Sequence, residues 1–183
     1  MRVFLALEIP EEIKEYLGVV KDQLAMRIHG VKWVNEKAQH ITLKFFGEQE
    51  EKRVSEIGDA LSGIERWYDP VAVTLQGIEA FPDRKRARVI VMALEKGVDN
   101  IQMIFHDIED RLSGLDIEKE KRSFRPHITL GRMRIPGPLL DRDIVAVDMK
   151  GFTVSRMVLF QSTLKPAGAV YTPIRELEFN KTI

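Results

Sequence analysis

His40-Ile41-Thr42-Leu43 and His127-Ile128-Thr129-Leu130 are the same tetrapeptide, placed once in each half of the chain. In an extended strand successive side chains alternate between faces, so His and Thr two apart share one face while Ile and Leu share the other. Each copy therefore anchors itself with two aliphatics and offers an imidazole and a hydroxyl. Core packing constrains only the aliphatic positions, so the recurrence of His and Thr points to chemistry. An imidazole titrates near ~6.5, so of two rings one can be neutral and take a proton while the other is charged and gives one. Positioned proton transfer of this kind contributes typically ~10²–10⁴-fold. Two threonine hydroxyls can donate hydrogen bonds to the non-bridging oxygens of a phosphodiester attacked in line. The catalytic candidates are His40 and His127, with Thr42 and Thr129 as phosphate-binding groups.

The elements that carry the two copies also repeat. Arg2-Val3-Phe4-Leu5-Ala6-Leu7-Glu8 is a short apolar run, as expected of a strand buried on both faces. Pro10, Glu11 and Glu12 open a helix whose stripe is Ile13, Leu17, Val20, Leu24 and Ile28, with Gly30 as its stop. Strands follow at Val31 to Val34 and His40 to Phe46, then a helix marked by Val54, Ile57, Leu61 and Ile64, then a strand at Val71 to Leu75. After the basic turn Pro82 to Arg86 the pattern restarts. Arg88 to Glu95 echoes Arg2 to Glu8, a helix carries Val98, Ile101, Phe105, Ile108 and Leu112, and the second HITL follows. From the opening arginine to the histidine is 38 residues in the first half (2 to 40) and 39 in the second (88 to 127). This is an internal duplication. The second half then diverges, with a loop at Pro136-Gly137-Pro138 and strands expected at Met149 to Val154, Met157 to Leu164 and Val170 to Phe179. The expected fold is α+β: a single domain over 1–183 of two pseudo-symmetric lobes, about 2–81 and 88–179, each a mainly antiparallel sheet with outer helices around a central cleft, and with strands free to exchange between lobes.

Composition narrows the function classes. The chain has no cysteine, which removes disulfide and thiol chemistry and the commonest structural zinc ligand. Its 28 basic and 28 acidic residues cancel, so any nucleic-acid contact must be local. No run approaches the roughly 18 apolar residues of a membrane helix, and the N-terminus lacks a basic leader pattern, which predicts a cytoplasmic protein with no membrane partner. Beside the motifs stand Thr, Lys44 and Gly131, with no carboxylate or second histidine at ligand spacing, so no metal and no cofactor is expected. A G-x-S-x-G elbow and a Walker loop are both absent.

The two HxTx motifs, the opening Arg2-x-Phe4-x-Ala6 and Ser162-x-Leu164-x-x-x-Gly168-x-x-Tyr171 resemble the RNA 2′,3′-cyclic phosphodiesterase family, also called 2′-5′ RNA ligase, within the two-histidine phosphoesterases. The resemblance covers essentially the whole chain. It implies a bilobal fold with a central cleft and metal-independent opening of a 2′,3′-cyclic phosphate to a 2′-phosphate. The partners it implies are RNA ends carrying that group, tRNA halves among them, met by a monomer. It also implies that Arg132, five residues after the second histidine, binds phosphate and that Phe45, five after the first, lies near the base. Strand parity objects: an offset of five puts both on the core side unless the strand bends or bulges near Gly131 and near Phe45-Phe46-Gly47. Lys44 shares the exposed face of a regular strand with His40 and Thr42, and Arg125 precedes the second motif; both are further substrate-binding candidates. Lys121-Arg122 and Arg84 to Arg86 are basic clusters that either bind RNA or are hydrated surface, and Phe124 reads as core. His29 and His106 lack partner patterns. His40 is assigned as the acid protonating O3′ and His127 as the base activating water, an order that identical motifs leave open. Alternatives are 2′-5′ ligation at the same site, a non-catalytic RNA-end binder, and an esterase for small cyclic nucleotides or 2′-5′ oligonucleotides.

Overall fold

A computed structural model describes residues 1–180. Its chain order is β1 (Arg2–Leu7), α1 (Glu11–Ala25), β2 (Val31–Trp33), β3 (Ile41–Glu48), α2 (Glu51–Leu61), β4 (Val71–Phe81), β5 (Ala87–Leu94), α3 (Val98–Leu112), β6 (His127–Gly137), β7 (Gly151–Val154), β8 (Arg156–Lys165) and β9 (Gly168–Glu178). The strands form one antiparallel sheet ordered β7-β4-β5-β6-β3-β1-β8-β9, with β2 pairing against β6. The fold is α+β, as the alternation of periods predicts. Among the described residues no helix is long and apolar enough to cross a membrane.

Residues 3–7 of β1 are buried without a break, so this strand has no solvent face. On α1 the stripe Ile13, Leu17, Val20 and Leu24 is buried, while Ile28 packs from the turn beyond the helix end. α2 stops at Leu61, and Gly63, at φ +90°, turns the chain into a 3-10 turn that delivers Ile64 to the core. Two expected boundaries fall short of the observed ones. β4 does not end at Leu75: the register skips Gln76 and the alternation of Ile78, Ala80 and their neighbours carries the strand on to Phe81. β6 does not stop before Pro136-Gly137 but runs to Gly137, held at its far end by β2 and β5.

Strand pairing crosses the boundary between the two halves of the sequence. β4, from the first half, pairs with β5, and the late hairpin β8–β9 pairs onto β1. β3 and β6 meet at the middle through a single registered pair, Ile41 opposite Ile128. These two residues occupy the same position in the two motifs, so a pseudo-twofold axis passes between them. At the outer edge, β9 carries Pro173, which has no N–H to offer an additional strand.

Candidate active site

Ile41 and Ile128 are both fully buried. Their neighbours in each strand therefore turn the opposite way, toward the concave face. With Ile41 opposite Ile128, the antiparallel register sets His40 beside Thr129 and Thr42 beside His127. The histidines then lie on a diagonal of about 7–8 Å at backbone level. Four polar groups from two adjacent strands thus share the concave face.

Each imidazole is fixed by the same device. His40 Nδ1 bonds the carbonyl of Ala38 at 2.8 Å, and His127 Nδ1 bonds the carbonyl of Arg125 at 2.7 Å, two residues upstream in both cases. A carbonyl can only accept, so both Nδ1 atoms carry the proton and both Nε2 atoms are presented to the cleft. The carbonyls are held by unrelated means. Ala38 ends a 3-10 turn, Glu36–Ala38, capped by the Asn35 side chain and tied to α1 through Lys21 and Glu36 at 3.0 Å. Arg125 precedes Pro126, which restricts it to extended backbone. The segment before it is fastened to α3, where Gln102 bonds the Phe124 carbonyl at 3.1 Å and Phe124 stacks on Phe105 at 4.2 Å. Phe124 is thus core, as its apolar setting predicts.

Both motifs also bulge at the same residue. Against β1, the register passes from Leu5–Lys44 to Ala6–Thr42, skipping Leu43; against β5 it passes from Ile90–Gly131 to Val91–Thr129, skipping Leu130. Two consecutive residues then point inward in each strand, Leu43 with Lys44 and Leu130 with Gly131, and all four are buried. The phase of the residues that follow directly is inverted, until a second register shift beyond Phe45 in β3 and beyond Arg132 in β6. Phe45, 65% exposed, and Arg132, also exposed, come round to the cleft side, which resolves the parity objection. Gly131 is obligatory in this arrangement, because a Cβ there would sit 2.6 Å from Val31 and 2.8 Å from the Trp33 ring.

The same bulge overturns the expectation for Lys44. It is not on the face of His40 and Thr42 but buried, in an ion pair with Glu109 of α3 and a 3.0 Å bond to the Glu118 carbonyl. Its distance from substrate follows from parity, since Leu43 consumes the step that would have pointed Lys44 outward.

The surroundings of the two rings differ. His40 lies among Phe4 (4.9 Å), Tyr171 (5.4 Å) and Phe160 (6.5 Å), and its Nε2 is 3.0 Å from Thr42 Oγ1. His127 meets the Phe81 edge at 4.7 Å, and the Arg125 guanidinium lies 4.8 Å over that same ring. Arg125, Phe81, Gln76, Glu79 and Gln102 line a recess of about 200 Å³ that opens beside His127. Phe81 and Phe160 carry no motif signal; only period-two alternation in their strands could have placed them beside the histidines. Burial pushes the His40 pKa down to about 4, and burial, joined by the Arg132 and Arg125 charges, pushes His127 down as well. Both shifts favour the neutral imidazole in the free cleft. Among the described residues no three His, Cys, Asp or Glu side chains come together as metal ligands would.

Of the other sequence candidates, Arg84 is held by Glu79 and Asp141, and Lys121 pairs with Glu118.

Comparison with known proteins shows the family and the fold. The family described as LigT like phosphoesterase matches residues 7–91 and 94–171. The RNA 2′,3′-cyclic phosphodiesterase of Methanocaldococcus jannaschii is 36% identical over 181 residues, covering 96% of this chain and 99% of that protein. The protein of the same name from Thermotoga maritima is 30% identical, covering 98% and 96%. Among solved structures, TT0787 of Thermus thermophilus superposes with a TM-score of 0.85 at 26% identity over 99% of both chains. E. coli LigT complexed with 3′-AMP shares the fold at a TM-score of 0.78 and 19% identity over 98% of both chains.

Proposed function

The chain belongs to the LigT like phosphoesterase family, and from that premise we propose that it is an RNA 2′,3′-cyclic phosphodiesterase, opening cyclic ends to 2′-phosphates by two-histidine acid-base catalysis without a metal. The observation that carries this reading is the Ile41–Ile128 pair, which sets two Nε2 atoms and two threonine hydroxyls around one space.

Water attacks phosphorus in line with O3′. His127 Nε2 takes a proton from the water, the P–O3′ bond breaks, and His40 Nε2–H gives a proton to O3′. The 2′-phosphate leaves, and the two rings exchange their protons with solvent. Thr42, Thr129 and Arg132 donate to the non-bridging oxygens as charge builds there, Arg132 with a fork suited to two oxygens at once. We assign His127 as the base: burial, joined by the Arg132 and Arg125 charges, favours its neutral form. His40, beside the Phe4 ring at 4.9 Å, is then the acid, and it must gain its proton when the phosphate arrives, because burial, with the Lys14 charge, holds its pKa down in the free cleft. Because both rings start neutral, the substrate's own anionic phosphate raises the acid's pKa on arrival. Binding of substrate or product is then accompanied by proton uptake.

The protein acts on RNA ends, tRNA halves among them, as a monomer; the proline in the outer strand supports that state. Ligation uses the same site with an RNA 5′-hydroxyl in place of water.

The test is to incubate the protein in excess EDTA with an RNA oligomer ending in a 2′,3′-cyclic phosphate, beside His40→Ala and His127→Ala. A 2′-phosphate from wild type, reduced ~10²–10⁴-fold in either variant, is expected. A 3′-phosphate, or activity that EDTA abolishes, overturns the mechanism; no product at all leaves a protein that binds RNA ends.

A further inference from the structure

The exposed cations beside the second motif are unevenly matched by acids in a chain whose charges cancel. β1, β2, β5, β6 and β8 contain no Asp or Glu, although the chain has 28 acidic residues. Beyond Arg132 this continues as a row. Lys32 of β2 is registered directly opposite Arg132, and Arg134 follows two residues on, its N–H bonded to the Gly30 carbonyl at 2.9 Å. Residues opposite in an antiparallel ladder share a face, as do residues two apart along a strand. Val31 and Trp33 pack against Gly131 on the inner side, which independently puts Lys32 on the outer, concave side with Arg132. All three cations are exposed, and among the described residues none has a carboxylate partner, whereas Arg84 and Arg156 are each held by two and Arg175 by one. Their side chains spring from backbone positions about 5 Å apart across the ladder and about 7 Å apart along the strand, so the like charges repel one another until an anion arrives.

We infer that Lys32 and Arg134 extend the phosphate site into a track for RNA backbone, binding phosphodiester groups next to the reacting one. The inference rests on the proposed function. A chain that reaches the threonines past Arg132 must run along this row, and its repeating anion is phosphate. A lipid surface is too flat to enter the concave face. The phosphodiesters come either from the strand that carries the cyclic end or from a second strand that presents a 5′-hydroxyl.

The test compares wild type with Lys32→Gln/Arg134→Gln, both surface positions outside the acid-base machinery. A cyclic mononucleotide should be hydrolysed equally by both proteins. A cyclic-ended oligomer should show a kcat/KM that exceeds the mononucleotide's at low salt in wild type and falls toward it in the double variant. Binding of an RNA oligomer ending in a 2′-phosphate, followed by fluorescence anisotropy against salt, should lose about 1.4 from its log–log slope, near 0.7 for each single-strand phosphate contact. An unchanged slope and affinity in the double variant overturn the track. Absence of turnover with every substrate would refute the proposed function instead, and the anisotropy slope still decides the track. A third arm adds a 5′-hydroxyl oligomer lacking a cyclic end to the mononucleotide assay. Inhibition relieved by the double variant assigns the row to a second strand; its absence, with a length effect on the cyclic-ended oligomer, assigns the row to the reacting strand.

Discussion

Lys44 offers the sharpest discrimination between a cleft residue and a structural one. Its ammonium and the Glu109 carboxylate are 8% and 6% exposed, so the pair is desolvated on both sides. Lys44→Met leaves Glu109 buried with only the Glu120 N–H, at 2.8 Å, as its partner. Removing one member of a buried pair costs about 3–5 kcal/mol, because the remaining charge is uncompensated. In a chain of this size about 1 kcal/mol moves the melting temperature by ~2–4 °C, so a fall of roughly 6–20 °C is expected. Lys44→Met/Glu109→Met removes both charges and forfeits the bonds to the Glu120 N–H and the Glu118 carbonyl, each to a charged group and worth about 1.5–3 kcal/mol, so it should be no less stable than Lys44→Met and recover part of the loss. Calorimetry or urea unfolding reads the effect, with KM for a cyclic mononucleotide measured in parallel. If Lys44→Met melts within about 2 °C of wild type while KM rises, the lysine faces substrate and the bulge at Leu43 is misplaced.

Two further outcomes follow from the site. Because the His40 pKa in the fold, about 4, lies below the ordinary 6.5, the unfolded chain binds more protons between these values. The stabilisation from neutral His40 is therefore fully present above pH 6.5 and is lost as pH falls toward 4, by up to about 3 kcal/mol. Urea midpoints at pH 7 and 4.5 should show this loss in wild type in excess of His40→Gln, and equal pH dependence in the two would sink it. Phe45→Ala, at a site 65% exposed, should leave stability within about 0.5 kcal/mol yet weaken binding of a nucleotide end by about 1–3 kcal/mol through lost stacking. A drop in melting temperature with unchanged KM would place Phe45 in the core instead.

How much of this is legible in the sequence depends on which residues answer to local pattern. The paired motifs, the apolar stripes of the helices and the buried opening strand are local, and they carry the fold class and the four central residues. Lys44 is misread because side-chain phase after Thr42 is set by the partner strand: only pairing with β1 reveals that Leu43 is skipped. Gly131 holds a hint, since a glycine next to the second motif signals a close approach, and Trp33 supplies it. The neutral state of both rings is hidden too. It arises from burial beneath Phe4, Phe160, Tyr171 and Phe81, drawn from four strands that no spacing rule connects.

The pair Ile41–Ile128 has an evolutionary reading in the language of oligomers. A contact in which each residue meets its own equivalent is the isologous interface of a homodimer, here contained in one polypeptide. A true homodimer could never tell its two histidines apart, because any substitution would strike both sites at once. Covalent linkage of the halves releases each position from its twin. Phe45 stands where the second copy has Arg132, and Lys44 where it has Gly131. One ring can thereby be reserved for giving a proton and the other for taking it, and an asymmetric substrate acquires a direction in a site laid out by symmetry.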